Sequence, residues 1–102
     1  MKILLLGANG QVGWELRRTL APLGEVTTVA RSGDCDRTAD ACDLDKLRRL
    51  LDEASPDIVV NAAAYTAVAQ AESETDLAMR MNAELPALLG RWAAERDALV
   101  AH

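Results

Sequence analysis

The fold turns on Met1-Lys2-Ile3-Leu4-Leu5-Leu6-Gly7-Ala8-Asn9-Gly10-Gln11-Val12-Gly13-Trp14-Glu15-Leu16. Ile3 to Leu6 is uninterrupted apolar sequence that stops at Gly7, which predicts a strand over Lys2–Leu6 buried on both faces. From Gln11 to about Ala21, Val12, Leu16 and Leu20 recur at four-residue spacing, which predicts a helix with one apolar stripe, ended by Pro22 and Gly24. The turn between strand and helix spaces its glycines G-x-x-G-x-x-G. Gly7 permits a tight turn out of the strand. Gly10 has no Cβ to hold the backbone away from a bound anion, and Gly13 lets the helix lie close to the sheet. A phosphate at that helix N-terminus meets unpaired N–H groups and the positive end of the helix dipole. Strand, glycine turn and helix in direct succession therefore point to a dinucleotide pyrophosphate. A ligand-free structural turn is the plainer alternative.

Working outward, Glu25 to Ala30 is rich in β-branched residues and reads as a second strand. Arg31 to Ala41 is polar and reads as a loop. Leu44, Leu47, Leu50 and Leu51 define a second helix, with Asp43 as its N-cap and Pro56 closing it. Asp57 to Asn61 is a third strand. Ala62 to Ala71 is small and apolar and carries no clear period. Leu77, Met81, Leu85, Leu88, Leu89 and Trp92 mark a third helix from about Thr75 to Glu95, with Pro86 predicting a kink or break near Leu85. Ala98 to Ala101 reads as a fourth strand. Apolar strands alternating with helices imply an α/β fold with a parallel sheet and right-handed crossovers. Four strands fit the order 3-2-1-4, the first half of a doubly wound sheet.

Three further positions bear on a ligand. An acid at the end of the second strand grips the ribose 2′-hydroxyl in NAD-selective sites. Here Ala30 is followed by Arg31 and Ser32, a cation and a hydroxyl that suit a 2′-phosphate. NADPH is therefore favoured, with NADH as the alternative. Asp43-Leu44 follows the polar loop, where an acid can accept from the adenine amino group as well as cap a helix. Asn61-Ala62-Ala63-Ala64 puts small side chains at a strand's carboxyl end, where a ligand can approach the backbone, or where the chain is simply packed tightly.

Composition narrows the function. The chain has 102 residues and a formal net charge of −5, which suits one domain. Its basic residues form no stripe, which argues against a nucleic acid or an anionic membrane as partner. Cys35 and Cys42 form no C-x-x-C pair and the single histidine is His102, so neither a metal centre nor a thiol redox motif is expected, and reduced thiols are. The run Ile3 to Leu6 is too short for a signal peptide or a membrane span. A soluble, cytoplasmic protein is expected.

GANGQVG at 7–13, Asp43-Leu44 and NAAA at 61–64 together resemble the extended short-chain dehydrogenase/reductases. MKILLLGANGQVGWEL, LAPLGEV, PDIVVNAAAYTAV and AESE resemble, more closely, the branch of that family that reduces a dTDP-4-keto sugar. The resemblance covers nearly the whole chain. It implies a partial NAD(P)-binding Rossmann-like domain over residues 1–102 and NADPH or NADH as hydride donor to the sugar nucleotide. It also implies cofactor contacts: Gly7, Asn9, Gly10, Gln11 and Val12 on the phosphates, Asp43 and Leu44 near adenine, and Ala63, Ala64, Tyr65 and Thr66 near the nicotinamide-side ribose.

Two departures from that family are evident. Ala69 and Gln70 stand where an acid and a lysine are frequent, and Ala30-Arg31 stands where an acid is often found. Catalysis in the family uses a Ser/Thr and a Tyr-x-x-x-Lys. The only tyrosine, Tyr65, has Ala69 at the lysine place. No residue of this chain is therefore assigned a catalytic role. The chain reads as the N-terminal, cofactor-binding part of such a reductase. A non-catalytic or regulatory dinucleotide-binding module is the alternative. Alone, the chain is expected to bind NADPH weakly without turnover, and to self-associate through the sheet edge left at the fourth strand.

Overall fold

A computed structural model describes residues 1–31, 33–40, 43–63 and 84–101. Its centre is β1 (Lys2–Leu6), whose Ile3, Leu4, Leu5 and Leu6 are all buried. β1 pairs in parallel with β2 (Glu25–Ala30) on one side and β4 (Ile58–Asn61) on the other. The short β3 (Arg37–Thr38) flanks β2, and β5 (Leu99–Ala101) flanks β4. The sheet order is β3-β2-β1-β4-β5.

The expected order 3-2-1-4 holds, but the sheet has five strands rather than four, and the chain segments that fill the order shift by one. Arg37–Thr38 falls within the stretch read as loop, and the segment Asp57–Asn61 becomes the fourth strand instead of the third. The cause is a side chain, not strand propensity. Asp36 accepts from both the backbone N–H (2.9 Å) and the hydroxyl (3.2 Å) of Thr28 through Oδ2, and its own N–H donates to Thr28 Oγ1 at 2.8 Å. This three-way pairing holds the chain beside β2, so that Ala39 N–H reaches Ala30 O at 2.9 Å.

Because strand side chains alternate between faces, β1 supplies two cores. Leu4 and Leu6 join Val29, Val59, Leu47, Leu51, Leu85, Leu89 and Trp92 on one face; Leu5 joins Ala8, Ala62, Val12 and Leu16 on the other. The first face is covered by α2 (Leu44–Ala54) and α3 (Leu85–Arg96), the second by α1 (Gln11–Leu20). Helices on both faces are what a parallel sheet with buried strands requires.

Helix ends follow local chemistry. Asp43 is the N-cap of α2, its Oδ1 accepting from Lys46 N–H at 3.2 Å. Ser55 ends that helix in the left-handed region at φ 44°. A short 3-10 turn over Ala21–Leu23 follows α1. Pro86 lies in the first turn of α3, where a missing N–H costs little, and α3 has its boundary at Leu85, where the sequence predicts a kink or break. The first half of the predicted third helix, residues 75–83, lies outside the described residues.

Candidate functional site

The carboxyl ends of β1, β2 and β4 are level, with Leu6 opposite both Val29 and Asn61. The order runs from β1 to β3 in one direction and from β1 to β5 in the other. The reversal lies between β1 and β4, and in open α/β sheets ligands bind at the crevice this creates.

The glycine turn leaves β1 at this point. Gly7 and Ala8 both donate to Val29 O, at 2.9 and 3.1 Å, and Gly10 N–H closes the turn onto Gly7 O at 3.1 Å. Gly7 has φ +75°, and a Cβ on it would sit 2.6 Å from Ala63 N and 2.9 Å from Ala62 C. The turn after β1 therefore presses directly on the chain leaving β4. Asn61, which is buried, shapes that exit by accepting from Ala63 N–H at 3.1 Å. A Cβ on Gly13 would collide with the Gly7 carbonyl oxygen and come within 2.9 Å of two Ala8 backbone atoms. Two of the three glycines are thus demanded by contact between backbones.

Gly10 is the N-cap of α1, with φ −75°, and no side chain caps this helix. The N–H groups of Gln11, Val12 and Gly13 have no acceptor within the helix, as in any first turn. They and the helix dipole favour an anion at this end. Such an end and a backbone cradle fit a dinucleotide pyrophosphate.

The predicted site residues fall into three groups. Gly7, Gly13 and Ala63 meet at the switch point and Gly10 closes the turn onto Gly7, while Asn9 faces Arg17 and Gly33 on the β2 side; Gln11 is exposed at the helix start and Val12 is half-buried in the core beneath α1. Arg31 is exposed directly after β2; Asp43 is exposed at the start of α2, and Leu44 packs against the main core. Ala64, Tyr65 and Thr66 lie outside the described residues.

One residue was missed. Arg17, in α1, donates through Nε to Ala8 O at 3.1 Å and through one terminal nitrogen to Asn9 Oδ1 and Asp34 O, both at 2.6 Å. Its guanidinium also lies 4.2 Å from the centre of the Trp14 ring. The spacing of Trp14 and Arg17, three apart on a helix, was the available sign. Among the described residues no group of three His, Cys, Asp or Glu is placed to hold a metal ion, and no helix is long and apolar enough to cross a membrane. Cys35 is a free thiol; Cys42 lies outside the described residues.

A parallel sheet in this order, with a glycine turn running from its central strand into a helix N-terminus at the switch point, defines a Rossmann-like α/β fold. Within that class, the chain belongs to the family described as the RmlD substrate binding domain, whose model matches residues 1–102. It is 52% identical over 89 residues to a dTDP-4-dehydrorhamnose reductase of Burkholderia thailandensis, covering 87% of this chain and 28% of that protein. A crystal structure of a hypothetical dTDP-4-dehydrorhamnose reductase from Sulfolobus tokodaii matches with TM-score 0.84 at 33% identity, over 98% of this chain and 37% of that one. The dTDP-4-dehydrorhamnose reductase of Bacillus anthracis, solved in complex with NADP, matches with TM-score 0.76 at 28% identity, over 97% of this chain and 34% of that one. The chain spans about a third of the length of these relatives.

Proposed function

We propose that this chain forms the cofactor-phosphate part of an NADPH-dependent reductase that converts dTDP-4-dehydrorhamnose to dTDP-L-rhamnose in the cytoplasm. The observation that carries the reading is the joined cradle: Gly7 against Ala63, Gly13 against Gly7, and the uncapped start of α1 at the switch point. The names of the relatives supply the substrate, and the NADP complex among them supports the cofactor. When bound, NADPH supplies a hydride to the ketone carbon of the sugar.

The chain's own residues hold that cofactor. Gly7, Asn9, Gly10, Gln11, Val12 and Gly13 receive the phosphates. Asp43 and Leu44 border adenine, and Ala63, Ala64, Tyr65 and Thr66 border the second ribose. Arg31 faces a 2′-phosphate. Asp36, an acid close to the end of β2, is directed back onto Thr28, which leaves the cation at Arg31 as the first charged group after the strand. This favours NADPH over NADH.

A second reading is a non-catalytic dinucleotide-binding module; within these 102 residues the one tyrosine, Tyr65, has no lysine four places on. Supplying NADPH and dTDP-4-dehydrorhamnose separates the two. The 102-residue chain is expected to bind NADPH without consuming it, while a protein that carries this chain within a longer reductase consumes it. Consumption by the 102-residue chain contradicts the proposed division. A longer protein that binds NADPH and leaves the sugar intact supports the module.

The chain by itself is also expected to self-associate. Among the described residues β5 pairs only with β4, and its Leu99 is 68% exposed. An open strand edge with apolar side chains invites pairing with a second copy. Sedimentation velocity is expected to show a concentration-dependent increase in mass, reduced by Val100→Pro. A single monomeric species at all concentrations goes against it.

A further inference from the structure

We propose that Arg17 is a positioning residue for the cofactor site, clasping the glycine turn to the segment after β2; this rests on the reading of that site given above. Three observations converge. First, one guanidinium spans two separate walls of the site: Ala8 O and Asn9 Oδ1 belong to the glycine turn, and Asp34 O belongs to the chain beyond Arg31. Residues 9 and 34 have no covalent reason to stay at a fixed distance, since α1, the 3-10 turn and β2 separate them in sequence. Arg17 reaches both from the body of α1, whose position is set by the Gly13 contact.

Second, the two walls are packed together at the clasp. Gly33 has φ +91°, and a Cβ on it would lie 2.8 Å from Asn9 Nδ2. The Asn9 amide therefore sits between Gly33 and Arg17, donating side toward one and accepting side toward the other. Third, the charge of Arg17 is not consumed. All three of its acceptors are neutral oxygens, and among the described residues no carboxylate is ion-paired with it. The Trp14 ring at 4.2 Å holds the guanidinium plane from one side without neutralising it. A half-buried cation fixed at the junction of the two walls raises the local potential where an anionic cofactor is received, and it does so with no freedom to follow the ligand away.

The planar fork matters as well as the charge. A lysine ammonium keeps the charge but cannot serve Ala8 O, Asn9 Oδ1 and Asp34 O in one rigid geometry. The wild-type protein, Arg17→Lys and Arg17→Ala are therefore compared by NADPH titration and by hydrogen exchange of the cofactor-free protein. The expected result is affinity roughly tenfold weaker in both variants. Exchange is expected to accelerate at residues 7–10 and 33–36, with core amides of β1 and β4 unchanged. Wild-type affinity in Arg17→Lys shows that only charge is needed and overturns the clasp. Faster exchange spread through the core in both variants assigns Arg17 to general stability and also overturns it. If the wild-type protein itself fails to bind NADPH, the cofactor reading falls and takes this assignment with it, an outcome distinct from equal binding by all three.

Discussion

Gly13→Ala is expected to destabilise the protein by about 4 kcal/mol or more, near the upper end for a single substitution. The added Cβ would collide with the Gly7 carbonyl oxygen and lie within 2.9 Å of Ala8 Cα and Ala8 C. All of these are backbone atoms, so no rotamer change relieves the overlap. Gly7 O is already the acceptor for Gly10 N–H, and Gly7 and Ala8 are both tied to Val29 O. Relief therefore means lifting α1 off the sheet, which opens the core formed by Leu5, Ala8 and Ala62 with Val12 and Leu16. Gly90→Ala is the control. Gly90 is exposed in α3, a Cβ there meets nothing within 4 Å, and alanine is preferred to glycine in a helix by about 0.8–1 kcal/mol. Urea denaturation is expected to show a large fall in midpoint for Gly13→Ala and a small rise for Gly90→Ala. A Gly13→Ala midpoint at the wild-type value means that α1 does not rest on the turn.

Trp92→Ala is expected to cost about 3–5 kcal/mol, the range for removing a buried aromatic side chain. Trp92 is 2% exposed and lies in the core between the sheet and α2, with Leu47, Leu51, Leu85 and Leu89 in the same cluster. Its indole Nε1–H donates to Asp52 Oδ1 at 3.1 Å, and Arg96 donates to the same oxygen at 2.5 Å while lying 5.0 Å from the ring centre. Trp92→Phe separates packing from this polar contact. Phenylalanine keeps most of the ring volume, and Asp52 keeps Arg96, so the loss is expected to be less than half that of alanine. Equal losses in thermal melts for the two variants indicate that the bond to Asp52, and not the filled volume, holds α3 in place.

How far the sequence reveals this protein depends on where the information resides. β1, the glycine turn and α1 were legible because the apolar run, the glycine spacing and the four-residue stripe each carry one physical requirement. The structure meets the requirements at Gly7 and Gly13 in atoms: a positive φ, and backbone where a Cβ would stand. Asp43 as N-cap was legible for the same reason, since capping is local. β3 was not legible. It has two residues, both exposed, and it exists because Asp36 pairs with Thr28 eight residues earlier; no alternation marks such a strand. Pro86, by contrast, was legible: proline in a continuing apolar period predicts a kink or break near Leu85, and α3 begins at Leu85. Arg17 was missed because its acceptors, Ala8 O, Asn9 Oδ1 and Asp34 O, are brought together by the fold. The spacing of Trp14 and Arg17 marks only their mutual contact on the helix, not the two turns that Arg17 reaches.

In the proposed function, the glycine turn and the start of α1 hold the phosphates of a dinucleotide. Gly10 is the position that tests it, because its φ of −75° is open to any residue and it caps α1 without a side-chain bond. Valine there costs about 1 kcal/mol as an N-cap, yet puts a branched side chain where the phosphates must meet the backbone. NADPH fluorescence is titrated against the wild-type chain and Gly10→Val, with a melting curve for each. Saturable binding is expected for the wild-type chain, and affinity weaker by about tenfold or more for a variant that still unfolds cooperatively. Equal binding by the two would contradict it.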